Sequence, residues 1–313
     1  MNLNLMKIAI AGATGFVGSR LVERLQQAGD QVLILTRNPA KAKRVFPDAA
    51  FPNVEMVAYT PTESGPWQQA LSGCDGVVNL AGAPIADERW TPERKQEILN
   101  SRKLGTRKIV EAIASANPKP SVLVNASAIG YYGTSETATF DETSASGNDF
   151  LAQVCQEWEN EAQQVKQSGT RLAIIRSGIV VGNGGAIAKM LTPFRLLAGG
   201  PLGSGHQWFS WIHREDLVSL IILALQRSDI QGILNGTAPN PVRMNELCHI
   251  LGQVLHRPSW LPVPDFALHL ILGEAAQVVL EGQQVLPKRP QEYGFEYRYS
   301  TVKPALEEVV SHG

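Results

Sequence analysis

Lys7-Ile8-Ala9-Ile10-Ala11-Gly12-Ala13-Thr14-Gly15-Phe16-Val17-Gly18 is the stretch that decides the fold. Its first five residues form a short, nearly continuous apolar run. Such a run suits a parallel strand buried on both faces. A glycine-rich turn follows. Then Leu21, Val22 and Leu25 recur at helical spacing, and Gly29 closes the helix. Gln31 to Thr36 reads as a second strand. Strand, turn, helix and strand thus fit within one βαβ unit of roughly 30 residues.

The alternation continues outward from that unit. Gly76 to Leu80 reads as a strand. Thr91-Pro92 opens a long helix, with Thr as cap and Pro in the first turn. Ile98, Leu104, Ile109, Val110 and Ile113 give that helix its apolar face. Ser121 to Asn125 and Leu172 to Ile175 read as further strands, with a helix over Asp149 to Lys166 between them. The expected fold is α/β: a Rossmann doubly wound parallel sheet with helices on both faces. After Ser177 the pattern loosens into Gly182 to Gly185, Gly199 to Gly205, and the prolines Pro258, Pro262 and Pro264. A smaller, mixed C-terminal lobe is expected there. The division is residues 1–178 for the nucleotide-binding unit, with 211–240 returning to it, and 179–313 mainly for the lobe.

Composition narrows the class. The chain has 313 residues, 44% hydrophobic and 18% charged, with a formal net charge of -1. A basic stripe for nucleic acid or an anionic membrane is not evident. The three cysteines, Cys74, Cys155 and Cys248, are widely spaced, and no CxxC or Cys/His cluster suggests a metal. Packed, reduced thiols fit a cytoplasmic setting. The chain runs almost at once into MKIAIAG, which argues against a signal segment. Leu217 to Leu225 is far short of the ~20 residues of a membrane span and reads as a buried helix.

The glycine pattern Gly12-x-x-Gly15-x-x-Gly18 has a physical use. Gly12 can form the tight turn, Gly15 can admit a pyrophosphate, and Gly18 can let helix and strand pack closely. Thr14, Phe16 and Val17 complete the loop. An acid at the tip of the second strand would bind a ribose 2′-hydroxyl, whereas Arg suits a 2′-phosphate. The sequence has Thr36-Arg37-Asn38 there, with Lys41 and Lys43 beyond, so NADP(H) is favoured over NAD(H). The competing reading is an ordinary solvated basic loop. Leu80, Ala81 and Gly82, after Asn79, are small enough for a cofactor to cross the sheet edge.

Together these segments resemble the extended short-chain dehydrogenases/reductases. GATGFVG (12–18), NLAG (79–82), LGTRKIVEA (104–112) and IRSGIVVG (175–182) carry the likeness. Within that group the chain is similar to the YfcH-like epimerase family. SAIGYYG (127–133), PFRLLAGGPLGSG (193–205), WIHREDL (211–217), GILNGTAP (232–239) and LEGQQVLPKR (280–289) support this. The resemblance implies NADP(H) binding, a cofactor contact at Ser177, and the family's small C-terminal domain.

It also implies a Ser and a Tyr-x-x-x-Lys that exchange a proton with substrate while hydride moves. Here the sequence departs from the pattern. Phe150 takes the Tyr place, and no Lys follows at the required spacing. Ser127, Tyr131 and Tyr132 are the candidate catalytic replacements. His213 before a helix reads as structural, and His206 as a substrate contact. Arg176 and Arg195 are candidate anion binders or ion-pair partners, and Trp208, Phe209 and Trp211 pocket or core residues. Two functions stay open. One is an NADP(H)-dependent oxidoreductase or epimerase on an unknown small-molecule substrate. The other is a catalytically silent NADP(H)-binding regulator, as the resemblance to cell-division factors of chloroplasts and cyanobacteria implies.

Overall fold

The computed structural model describes residues 5–311. The chain opens with β1 (Lys7–Ala11), α1 (Phe16–Gln27), β2 (Gln31–Thr36), α2 (Pro39–Val45), β3 (Val54–Ala58) and β4 (Gly76–Asn79). It continues with α3 (Pro92–Ser115), β5 (Val122–Ala128), β6 (Thr139–Phe140), α4 (Phe150–Gln163), β7 (Arg171–Ser177) and β8 (Ile179–Val181). Then come α5 (Gly185–Arg195), β9 (Trp208–Phe209), β10 (Trp211–His213), α6 (Arg214–Gln226), β11 (Gly232–Gly236), β12 (Val242–Arg243) and α7 (Met244–Leu255). The last elements are α8 (Asp265–Leu272), α9 (Gln277–Leu280), β13 (Gln284–Val285), α10 (Lys288–Glu292) and α11 (Val302–Ser311).

The main sheet has seven strands in the order β11-β7-β5-β4-β1-β2-β3, every neighbouring pair parallel. The strand order reverses direction between β1 and β4, the switch point where such sheets bind ligands. Side chains alternate across the sheet as strand geometry requires. Ile8, Ile10, Val32, Ile34, Val122 and Val124 face α1 and α6, meeting Leu21, Val22, Leu25, Val218 and Ile221. Ala9, Ala11, Leu33, Leu35, Leu123 and Ile174 face the other way, meeting Ile109, Val110 and Ile113 of α3 and Ala162 of α4. The expected doubly wound sheet with helices on both faces is therefore present.

A separate core lies beyond the sheet. Ile187, Leu191 and Phe194 of α5 pack with Leu247 and Leu251 of α7 and Leu306 and Val309 of α11. β10 does not join the main sheet but pairs with β8, whereas β11 extends the sheet beside β7. Two boundaries differ from the sequence reading. The helix after Asp149 ends at Gln163 and tightens into a 3-10 turn over Gln164–Ser168. Residues 77–79 are buried, but Leu80 lies past the end of β4. Among the described residues no helix is long and apolar enough to cross a membrane, and α6, with Leu217, Val218, Leu220 and Ile221 buried, is a core helix.

Candidate functional site

A cavity of about 490 Å³ opens along the carboxyl edge of the sheet. Its wall begins at the glycine turn. Gly12 has φ +86°, and a Cβ there would come within 2.8 Å of the Leu80 carbonyl carbon. A Cβ on Gly18 would lie 2.2 Å from the Gly12 oxygen, so chain packing alone demands glycine at both positions. Gly15 differs: the nearest atom to a Cβ there is the Gly12 oxygen, at 3.2 Å. The space beside Gly15 faces the cavity. The Gly15 N–H donates to the Gly12 carbonyl (3.0 Å), closing the turn. α1 begins one residue later, with no side-chain cap and no acid in its first turn. Its N-terminal N–H groups and partial positive charge are left for something outside the helix. Phe16 is covered by the 182–185 loop, where a Cβ on Gly184 would come 2.8 Å from the ring.

Gly12, Gly15, Phe16, Val17, Gly18, Leu80 and Ser177 line the cavity. Thr14, Thr36, Arg37, Ala81 and Gly82 lie outside that lining. Thr36 is nearly buried, and its hydroxyl accepts the Asn38 N–H (3.2 Å). Arg37 is exposed and makes no hydrogen bond or ion pair among the described residues.

The three candidate catalytic hydroxyls separate. Ser127, on β5, lines the cavity. Its hydroxyl donates to Glu159 (2.6 Å), whose carboxylate also takes two hydrogen bonds from Arg176 (2.8 and 2.7 Å). Arg176 is thus held by an ion pair. Tyr131 and Tyr132 sit on the 3-10 turn over Ile129–Tyr132 and are absent from the cavity wall. The Tyr132 hydroxyl is buried, donates to Asn235 (2.7 Å) and accepts from Arg176 (3.0 Å). Burial pushes its pKa up to about 12, with Arg176 partly opposing. The Tyr131 ring packs face-on against the Arg176 guanidinium, 3.3 Å from ring centre to the guanidinium carbon.

α4 brings an apolar surface to the same wall. Phe150 packs edge-on against Trp90 (5.1 Å between centroids), and Leu151, Val154 and Cys155 line the cavity. Burial raises the Cys155 thiol to about 11, so it is a packed, protonated group. Cys74 and Cys248 are likewise free and buried. No side chain of α4 on this wall can exchange a proton near neutral pH.

Polar groups at the other end were not evident from sequence. Asp149 caps α4 by accepting the Ala152 N–H (2.8 Å) and lines the cavity. Thr134 donates to Glu281 (2.8 Å), and Gln283 donates to the Ile129 carbonyl (2.8 Å); all three line the cavity. Glu281 and Gln283 come from a segment more than a hundred residues away in the chain, so no local pattern points to them. Arg102 on α3 also lines it.

The remaining candidates fall elsewhere. His206 and Arg195 are exposed and off the wall. Trp208 lines the cavity, while Phe209 and Trp211 are buried in the second core. His213 caps α6: its Nδ1 accepts the Glu215 N–H (3.2 Å), which leaves Nε2 to donate to Glu308 (3.2 Å).

A parallel sheet, a glycine turn leading into an uncapped helix, and a cleft at the switch point define a nucleotide-binding Rossmann protein of the epimerase and dehydrogenase kind. The model of the NAD dependent epimerase/dehydratase family matches residues 8–235, and the chain belongs to that family. A domain of unknown function (DUF1731) matches residues 263–309. The chloroplastic epimerase family protein SDR39U1 homolog of Arabidopsis thaliana is 52% identical over 308 residues, covering 97% of this chain and 87% of the relative. Epimerase family protein YfhF of Bacillus subtilis is 40% identical, covering 98% of both chains. The crystal structure of human epimerase family protein SDR39U1 (isoform 2), solved with NADPH, superposes with a TM-score of 0.87 at 34% identity. It covers 98% of this chain and 100% of that one.

Proposed function

We propose that the chain is an NADP(H)-binding oxidoreductase or epimerase acting on a small carbonyl or alcohol compound, sugar-nucleotide-like molecules included. The observation that carries the cofactor reading is the glycine turn. The chain itself requires Gly12 and Gly18, whereas a Cβ on Gly15 would meet only the Gly12 oxygen, at 3.2 Å, and Gly15 lines the cavity in front of the uncapped end of α1. A pyrophosphate in that cavity would meet the free N–H groups of the α1 end. Gly12, Thr14, Gly15, Phe16, Val17 and Gly18 would hold it, with Leu80, Ala81, Gly82 and Ser177 along the sheet edge. Thr36 and the unengaged Arg37 would take the ribose and its 2′-phosphate. The solved human relative with NADPH supports the same choice.

Bound NADP(H) supplies the hydride chemistry. Proton exchange falls to this chain's own groups. Of the three hydroxyls, Ser127 alone is on the wall. Because it donates to Glu159, it presents lone pairs to the cavity and accepts from a substrate hydroxyl. Asp149 and Glu281 are the carboxylates there. Tyr131 and Tyr132 act behind Ser127, through Arg176. We assign residues 1–178 with 211–240 to cofactor binding and the rest of 179–313 to the substrate side. The three buried thiols suit a reducing, cytoplasmic compartment.

The test is a hydride-exchange assay with NADPH against a broad panel of carbonyls. Turnover is expected, and Ser127→Ala should lower it by ~10²- to 10⁴-fold at unchanged NADPH affinity. A second reading, a catalytically silent NADP(H)-binding regulator such as a cell-division factor, draws on Phe150 and Val154, the apolar α4 residues at the places of the family's Tyr and Lys. NADPH binding without turnover of any panel member would favour it.

A further inference from the structure

The charges on the cavity wall are sorted by end. Among the described residues three charged side chains line it: Arg102, Asp149 and Glu281. Arg102 lies against Gly82, where a Cβ would come 2.9 Å from Cζ, and so stands at the end where the Leu80 backbone packs on the glycine turn. It also rests on the face of Trp158. From Trp158 back to Asp149, α4 spans about 13 Å. The two carboxylates therefore belong to the far end. There the Thr134 hydroxyl donates to Glu281 (2.8 Å), and a Cβ on the preceding Gly133 would come 3.2 Å from Asp149 Oδ2. Neither carboxylate makes an ion pair among the described residues.

Two arginines stand just behind this part of the wall, and both are spent on the chain itself. Arg176, behind Ser127, is engaged by Glu159 and Tyr132. Arg243 stacks on Trp208, 3.8 Å from the ring centre, and donates to the carbonyls of His206 and Glu136. The remaining polar lining at this end is Thr134, Trp208, Ser210, Gln277 and Gln283, all uncharged. Size adds a second limit. A pocket of roughly 300–1,000 Å³ holds one drug-sized ligand. This cavity, about 490 Å³, must take the reacting half of the cofactor and the substrate together. That leaves room for a small molecule and not for a second nucleotide.

We infer that the substrate is a small carbonyl or alcohol compound carrying an ammonium group, which lies between Asp149 and Glu281, and that this end of the cavity rejects phosphates, carboxylates and sugar nucleotides. The inference rests on the cofactor reading above and narrows its substrate class. A ligand ammonium supplies the counter-charge that the two carboxylates lack. An anionic group there faces two like charges with no cation on the wall to offset them.

The experiment uses three probes of one shape, aminoacetone, hydroxyacetone and pyruvate, with UDP-glucose as the sugar nucleotide. Each is titrated calorimetrically into protein saturated with NADP+, which has no hydride to give, so binding is read without reduction of the carbonyl. Wild type should bind aminoacetone about ten-fold more tightly than pyruvate, with hydroxyacetone between, and should not bind UDP-glucose. The variants are Asp149→Asn, whose amide still caps α4, and Glu281→Gln. Each should weaken aminoacetone, strengthen pyruvate and leave hydroxyacetone nearly unchanged; the double variant should erase the preference. A merely structural role would move all three probes together. That result overturns the inference, as does a preference that survives in the double variant. Wild type that binds pyruvate or UDP-glucose as tightly as aminoacetone, or that binds none of the probes, overturns it too. Should Asp149→Asn fail to fold, Glu281→Gln decides by the same opposite shifts. If wild type does not bind NADP+, the cofactor reading falls and this inference with it. If NADP+ binds and the charge preference is absent, only the inference falls.

Discussion

Gly15 and Gly18 look alike in the sequence, yet the structure gives them different work. Gly18→Ala would drive a methyl to 2.2 Å from the Gly12 oxygen, so it should destabilise the fold by ~1–3 kcal/mol or more in a denaturant melt. Gly15→Val meets nothing of the chain nearer than 3.2 Å at its Cβ. It should fold, with a far smaller loss of melting temperature than Gly18→Ala, and lose NADPH binding. Tyr132 makes the opposite point. Its hydroxyl bridges Asn235 and Arg176 in the interior, so Tyr132→Phe should cost ~1–3 kcal/mol of stability by leaving buried groups unpaired. If the variant keeps full stability and loses only turnover, Tyr132 is a catalytic group after all.

α6 carries a pH-dependent contribution through its cap. Burial pushes the His213 imidazole below its ordinary range, and the contact with Glu308 offsets this only in part. The unfolded chain therefore takes up this proton first. The neutral ring's contribution to stability is present above the ordinary pKa of ~6.5 and is lost as pH falls through it. Wild type should lose more melting temperature between about pH 7.5 and 5.5 than His213→Asn, whose amide can still cap the helix. Equal slopes for the two proteins would show that His213 does not titrate on unfolding. The elements themselves were largely legible. Ile8, Ile10, Val77 and Val124 mark buried parallel strands, and Thr91-Pro92 marks a helix start. β3, Val54–Ala58, was not, because an edge strand with Glu55 exposed lacks the continuous apolar run. The end of α4 was misread because the pattern cannot tell an α turn from the 3-10 turn at Gln164–Ser168.

At the scale of the whole molecule, the cleft joins three distant parts of the chain: the glycine turn, the end of β5, and the segment from Gln277 to Gln283. The first was legible because its chemistry is local. The polar end at Thr134, Asp149, Glu281 and Gln283 was not, since it exists only once the C-terminal segment folds back over β5. Ser127 was legible as a candidate, but its partner Glu159, on α4, which sets the direction of its proton, was not. The central proposal is an NADP(H) site in this cleft, with Gly15 on its wall and Arg37 beyond its lining to read the 2′-phosphate. It is tested most directly by titrating NADPH and NADH into wild type, Arg37→Ala and Gly15→Val. NADPH should bind wild type about ten- to a hundred-fold more tightly than NADH. Arg37→Ala should erase that preference, and Gly15→Val should bind neither cofactor. Equal wild-type affinities with an unchanged Arg37→Ala, or NADPH binding retained by Gly15→Val, would contradict it.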